Sequence, residues 1–240
     1  MDQNYNQYGQ AIGEALVNWS ARSLPGDVTL QGAFCHLEPL DVARHASDLY
    51  EAYRSATDGR DWTYMFVGPF KDEGEYRQYA EKAARSTDPK HYAVIDNVLG
   101  KAVGTLALMR VDPGNGAIEV GNVAFSPLLK QKPASTEAQF LLMQYVFDVL
   151  QYRRYEWKCD SLNAPSRKAA DRLGFTFEGV FRQAVIYKGR SRDTAWFSII
   201  DSEWPALKAT FLAWLSAENF GSDGKQLRTL AEIRTERAKN

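Results

Sequence analysis

Three strand-like segments lie between His91 and Phe125, joined by turns too short to hold any other element. They commit the middle of the chain to an antiparallel meander. His91–Asp96 and Ala102–Val111 flank a hairpin turn at Asn97–Gly100, and Asp112-Pro113-Gly114-Asn115-Gly116 leads into Ala117–Phe125. The pattern then changes period. Ser135–Leu150 carries Ala138, Leu142, Tyr145, Val146 and Val149 on one helical face, and Arg153–Asp160 reads as a strand. Pro165–Leu173 is a short helix with Gly174 in the position where a left-handed C-cap falls. A meander followed by a strand–helix–strand–helix crossover is one mixed α+β domain.

The flanking segments complete this outline. Residues 1–26 are polar and end at Pro25-Gly26, as an N-terminal arm or a lone helix before the domain. Asp27–Leu37 is strand-like, and Pro39–Arg54 places Leu40, Ala43, Ala46, Leu49 and Tyr53 at helical spacing. Thr57–Phe70 is a loop rich in aromatics, and Lys71–Ser86 a second amphipathic helix. After the crossover, Phe175–Tyr187 pairs with Thr194–Asp201, Trp204–Phe220 is a helix, and residues 221–240 form a charged tail. The domain is therefore expected over residues 27–220.

Composition excludes several classes. With 45% hydrophobic and 25% charged residues in 240, the chain reads as globular. Lys+Arg 29 against Asp+Glu 30 gives a net charge of -1, so no global field argues for nucleic acid. Cys35 and Cys159 make no CxxC, and His36, His45 and His91 make no HxxxH, so no metal is expected. Neither GxGxxG after a strand nor GxxxxGK[ST] occurs. The first residues lack the basic and apolar regions of a signal peptide, and no run of about 18 apolar residues would span a bilayer. A cytoplasmic protein with no membrane role is expected, as a monomer or homodimer.

Four stretches carry a resemblance: Glu-Val-Gly-Asn-Val-Ala-Phe (119–125), Ser-Thr-Glu-Ala (135–138), Cys-Asp-Ser-Leu-Asn-Ala-Pro-Ser (159–166) and Arg-Leu-Gly-Phe (172–175). In this order they resemble the GCN5-related N-acetyltransferase (GNAT) superfamily, in its RimJ/RimL-like branch, from about Val28 to Asp201. The resemblance implies a mostly antiparallel central sheet flanked by helices. It also implies transfer of acetyl from acetyl-CoA to a primary amine, a protein N-terminus or a small amine, by direct attack in a ternary complex.

Physical chemistry gives the same stretches a role. A helix start with free amides suits a diphosphate, and Lys130 and Lys132 stand just before one. The family's loop reads Arg/Gln-x-x-Gly-x-Gly/Ala, and the matching segment is Lys130-Gln131-Lys132-Pro133-Ala134-Ser135, followed by Thr136. Pro133 replaces the middle glycine and has no N–H to donate. The plain alternative is a surface loop with Ser135 or Thr136 as N-cap. The resemblance assigns the backbone of Val123, Ala124 and Phe125 to the pantetheine arm, and Asn163 too; Asn163 is equally an ordinary N-cap before Pro165. Where the family often has a tyrosine acid this chain has Ala170; the resemblance to the RimJ/RimL-like branch, which uses a serine near this helix start, implies Ser166 as the candidate acid or thiolate stabiliser, against an ordinary first-turn serine.

A neutral amine must lose a proton, and Glu119 is the expected base, with Asp160 second. The plain alternative for Glu119 is a charge at a strand edge. Trp62 and Tyr64, with Phe66, are expected to shape the acceptor pocket or to be core. Arg182, together with Tyr187, Arg190 and Arg192, suits a carboxylate or a peptide, as do Arg60 and Asp61. Residues 152–193 hold ten Lys/Arg against five Asp/Glu, a surface suited to the phosphates of CoA or simply solvated. Two other readings stay open. One is a non-catalytic acyl-CoA sensor or scaffold. The other is a peptide- or nucleic-acid-binding module, whose affinity would fall steeply with salt.

Overall fold

A computed structural model describes residues 4–239. Asn4–Tyr5 (β1) and Ala11–Ile12 (β2) make a minimal hairpin in the arm. The arm then runs to the domain, where the Trp19 indole donates to the Gly114 carbonyl at 2.7 Å and the Gly26 amide to the Tyr145 hydroxyl at 2.9 Å. The main sheet is built from Leu30–Gln31 (β3), Cys35–Pro39 (β4), Lys90–Asp96 (β5), Lys101–Asp112 (β6), Ala117–Phe125 (β7), Arg154–Asp160 (β8), Thr176–Tyr187 (β9) and Arg190–Ile200 (β10). Its spatial order is β3-β4-β5-β6-β7-β8-β10-β9, antiparallel throughout except between β7 and β8.

The exception positions the site. Pairing of β7 with β8 covers only Ala117–Val120 against Arg154–Trp157. Beyond it β7 bulges against β6, with Asn122 at φ 48°, and the two strands separate. Residues 121–125 therefore present an open strand edge toward β8. The helix that carries the chain from β7 to β8 starts at this opening.

Among the described residues six α-helices cover the sheet: Val42–Arg54 (α1), Glu73–Arg85 (α2), Pro133–Gln144 (α3), Ala164–Leu173 (α4), Trp204–Leu215 (α5) and Leu230–Arg237 (α6). Leu49, Tyr53 and Tyr76 of α1 and α2 form one apolar layer with Trp62. Phe140 and Leu142 of α3, Trp204 and Phe211 of α5, and Leu230 and Ile233 of α6 belong to another. Among the described residues no helix is long and apolar enough to cross a membrane.

Several boundaries differ from expectation for identifiable reasons. The strand expected over 27–37 breaks into β3 and β4 at Gly32–Phe34. There the amides of Ala33, Phe34 and Cys35 all donate to the buried Glu137 carboxylate of α3, at 2.7, 2.6 and 2.8 Å. A Cβ at Gly32 would lie 2.5 Å from that carboxyl carbon, so the close approach requires glycine. Neither Ser135 nor Thr136 is the N-cap of α3: Lys132 is, Pro133 occupies the first turn, and the Ser135 hydroxyl donates back to the Lys132 carbonyl at 2.7 Å. The helix at Trp204 stops at Leu215, where Ser216 turns extended. The expected charged tail also folds back. Its α6 opens on a Thr229–Glu232 capping box and buries Leu230 and Ile233 against the core. Gly174 does cap α4, at φ 97°.

Candidate active site

Between the diverging strands lies a cleft of about 1580 Å³. One flank is main chain and helix starts. Val123 and Phe125 line it, but Ala124 does not, and its carbonyl accepts the Tyr53 hydroxyl at 3.1 Å on the other face of the sheet. Pro133, Ser135 and Thr136 line it from the start of α3, whereas Ala134 is buried behind them and accepts the Cys35 thiol on its carbonyl. The Thr136 hydroxyl is engaged by Arg172 Nη2 at 2.8 Å. Of the two lysines expected at a phosphate, Lys130 pairs with Asp61 and thereby ties the 57–70 loop to the mouth of the cleft. Lys132 keeps an exposed ammonium without an ion pair among the described residues. That pairing was not visible in sequence, since its partners are far apart in the chain.

At the start of α4, Asn163 is the N-cap, its Oδ1 accepting the Ser166 amide at 3.2 Å. The Ser166 hydroxyl accepts the Trp157 indole N–H at 3.0 Å, which fixes its oxygen, and its own proton faces the Cys159 sulfur at the edge of the cleft. Cys159 lies beside it, and burial pushes that thiol up, away from a nucleophilic thiolate.

The opposite flank is made of side chains. Glu119 is only 3% exposed on β7. Its Oε2 accepts Arg110 Nη1 at 2.8 Å and Lys158 Nζ at 2.9 Å, so one oxygen is anchored by two cations. Lys158 also meets Glu156 at 2.6 Å and lies over the Trp196 ring at 3.7 Å. Its place opposite Glu119 follows from the period-two alternation Glu156, Lys158, Asp160 along β8, a signal the sequence reading did not use. Asp160 is occupied: it accepts the Leu162 amide at 2.9 Å and the Tyr187 hydroxyl at 2.8 Å. Burial, reinforced by that carboxylate, pushes the Tyr187 phenol up to about 12, so it stays a donor.

The aromatic loop divides in two. Tyr64 lines the cleft and donates to the Leu162 carbonyl at 3.2 Å, bridging its two sides. Phe66 lines it too, packed 5.5 Å from the Tyr187 ring. Trp62 does not; it is core, edge-on to Tyr53 at 5.3 Å and to Phe70 at 5.2 Å. Arg182 is also absent from the cleft. It stands exposed where β9 bulges between Phe181 and Val185 against β10. Arg192, on the facing strand, lines the cleft in its stead, beside Arg60, Arg110 and Arg172.

The mostly antiparallel sheet flanked by helices that the resemblance implied is present, and it parts at its one parallel pair beside a helix start. Residues 36–176, more than half of the chain, match the family described as acetyltransferase (GNAT) domain. The chain belongs to that family, and with it to the acetyl-CoA-dependent N-acetyltransferases. It is similar to the crystal structure of a GCN5-related N-acetyltransferase from Brucella melitensis, at 51% identity and a TM-score of 0.90, covering 92% of this chain and 100% of that one. It is also 28% identical over 144 residues to the uncharacterized N-acetyltransferase p20 of Bacillus licheniformis, covering 59% of this chain and 80% of that one. To the uncharacterized N-acetyltransferase YnaD of Bacillus subtilis (strain 168) it is 26% identical over 157 residues, covering 65% of this chain and 90% of that protein.

Proposed function

We propose that the protein transfers acetyl from acetyl-CoA directly to a primary amine, a protein N-terminus or a small amine, inside a ternary complex and without a covalent enzyme intermediate. The observation that carries the reading is the open edge of β7 from Gly121 to Phe125, with Glu119 at one end and Ser166 across from it. The free edge pairs with the amide groups of the pantetheine arm as a further strand would. The start of α3 receives the diphosphate, and Lys132 and Arg172 contribute charge there.

The amine nitrogen attacks the thioester carbonyl carbon, and the resulting tetrahedral adduct collapses with cleavage of the C–S bond. Glu119 accepts the proton the nitrogen loses, directly or through one water, on the oxygen its two cations leave free. Ser166 donates its hydroxyl hydrogen toward the departing sulfur, and its contact with Trp157 holds it in place. Proximity does the larger share of the work. The test is calorimetric titration with acetyl-CoA beside desulfo-CoA and adenosine diphosphate. Micromolar binding that depends on the pantetheine arm is expected. Absence of binding at millimolar ligand overturns the reading.

A further inference from the structure

Resting on that reading, we infer that the acceptor amine carries a carboxylate and that Arg192 is the residue that binds it. The β9–β10 hairpin carries three cations, Lys188, Arg190 and Arg192, beside the 57–70 loop, and two of them are occupied. Lys188 Nζ donates to the carbonyls of Trp62, Val67 and Gly68 at 2.8, 3.2 and 2.8 Å. Arg190 Nη2 donates to the Thr63 carbonyl at 2.6 Å. Both hold the 57–70 loop in place. Arg192 differs: it is only 8% exposed and lines the cleft. It donates from Nε to the Thr194 hydroxyl at 3.1 Å, and its terminal nitrogens have no acceptor among the described residues.

The terminal nitrogens of this largely buried guanidinium still reach the cleft, where a carboxylate would replace the water they meet. The nearby acids do not serve. Asp160 is taken by Tyr187 and Leu162, Glu119 by Arg110 and Lys158, and Asp193 accepts the Gln183 amide at 2.7 Å. The rings of Phe66 and Tyr187 stand 5.8 and 6.0 Å from its central carbon, a partial compensation. The remaining pair of N–H groups is the fork that matches a carboxylate bidentately. The same rings offer an apolar wall to the stem that joins carboxylate and amine. An amino acid or a short peptide fits this end; a polyamine would meet a like charge.

The test uses matched acceptors: α-amino acids, short ω-amino acids and dipeptides, each against its carboxamide. With wild-type protein and acetyl-CoA, the acid is expected to exceed its amide by about 30-fold in kcat/KM, mostly through KM, as a charged hydrogen-bonded contact predicts. Arg192→Gln should remove about 30-fold of that preference, and Arg192→Lys should restore part of it. Titration of the CoA-loaded wild-type protein with N-acetylated acids and their amides reads the same contact without turnover or mutation. Equal use and equal binding of acids and amides, or an unchanged preference in Arg192→Gln, overturns the inference. Acetyl-CoA titration of the same samples separates the two failures. No acetyl-CoA binding defeats the proposed function, whereas binding without carboxylate preference defeats this inference alone.

Discussion

The two flanks of the cleft are built by different means. The flank of β7, α3 and α4 is mostly backbone: a strand edge and two helix starts, contributed by residues close in sequence to their motifs. The facing flank is side chains brought together from five places, Tyr64 and Phe66, Glu119, Lys158 and Asp160, Tyr187, and Arg192. A backbone flank keeps its hydrogen-bonding groups under most substitutions, whereas a side-chain flank changes its chemistry with each one. The layers behind them differ as well. Phe140 of α3 and Phe147 of the π-helical turn after it, Tyr145–Val149, stack on Trp204 of α5 at 6.1 and 5.1 Å. The α1–α2 layer, from which the acceptor loop rises, is edged by two buried histidines, His45 and His91.

If the flanks are separable, Glu119→Gln should lower kcat/KM by about 10³-fold, in the range of a lost general base. Acetyl-CoA affinity, measured by calorimetry, should stay within about twofold, since the two contacts do not share a partner. A parallel fall in affinity would break the comparison. Unchanged turnover would remove Glu119 as the base and move that role to Asp160.

The next effect concerns the layers. Burial pushes His91 down to about 4, and it also lowers His45 although Glu38 opposes the shift. Both rings are therefore held neutral in the folded state, while the unfolded chain binds protons from about pH 6.5 downward. The unfolded state then binds more protons between these values, so stability falls as pH drops from about 6.5 toward about 4. His91 alone contributes about 3 kcal/mol to that loss. Urea melts across this range should show the slope, and His91→Gln should flatten it. Hydrogen exchange should show α2 and β5 losing protection before α3 and α5. The reverse order would mean that the acid-sensitive groups lie elsewhere.

These two regions were also unequally legible in the sequence. Turn chemistry and period locate the meander, the crossover and the Gly174 cap, because each is set by neighbours in the chain. The Asn163 cap was legible for the same reason. The side-chain flank was not. Spacing Trp62, Tyr64 and Phe66 two apart suggests one face only in an extended strand, but Arg60–Trp62 is a tight helical turn, so Trp62 enters the core while the other two line the cleft. Arg182 was misplaced by a bulge, whose extra residues shift the face of everything near them and carry no compositional mark. The capping box Thr229–Glu232 ahead of Leu230 and Ile233 was readable, and it marks a helix inside the stretch expected as a charged tail.

Ser166→Ala sharpens the contrast from within the backbone flank, because Ser166 is its one proposed chemical side chain. We expect kcat to fall about tenfold, less than a full oxyanion-type donor is worth, because a thiolate is a good leaving group. Stability should fall by about 1 kcal/mol, since the Trp157 indole N–H loses its acceptor. Lost stability with unchanged kcat would leave the serine as a structural partner of Trp157 only.

The smallest expected effect is at Pro133, the residue that departs from the family's loop. It stands in the first turn of α3, where a helix leaves its amides unpaired in any case and where proline's fixed φ suits the entering chain. Pro133→Ala restores one donor at the diphosphate end but frees the backbone in the unfolded and unliganded chain. Acetyl-CoA affinity should therefore rise by only about twofold, while stability falls by about 0.5 kcal/mol. Calorimetry and thermal melting on one sample measure both. A gain of about tenfold or more, the value of a full charged contact, would show that the missing amide governs cofactor affinity. The backbone flank would then be as sensitive to single residues as the side-chain flank facing it.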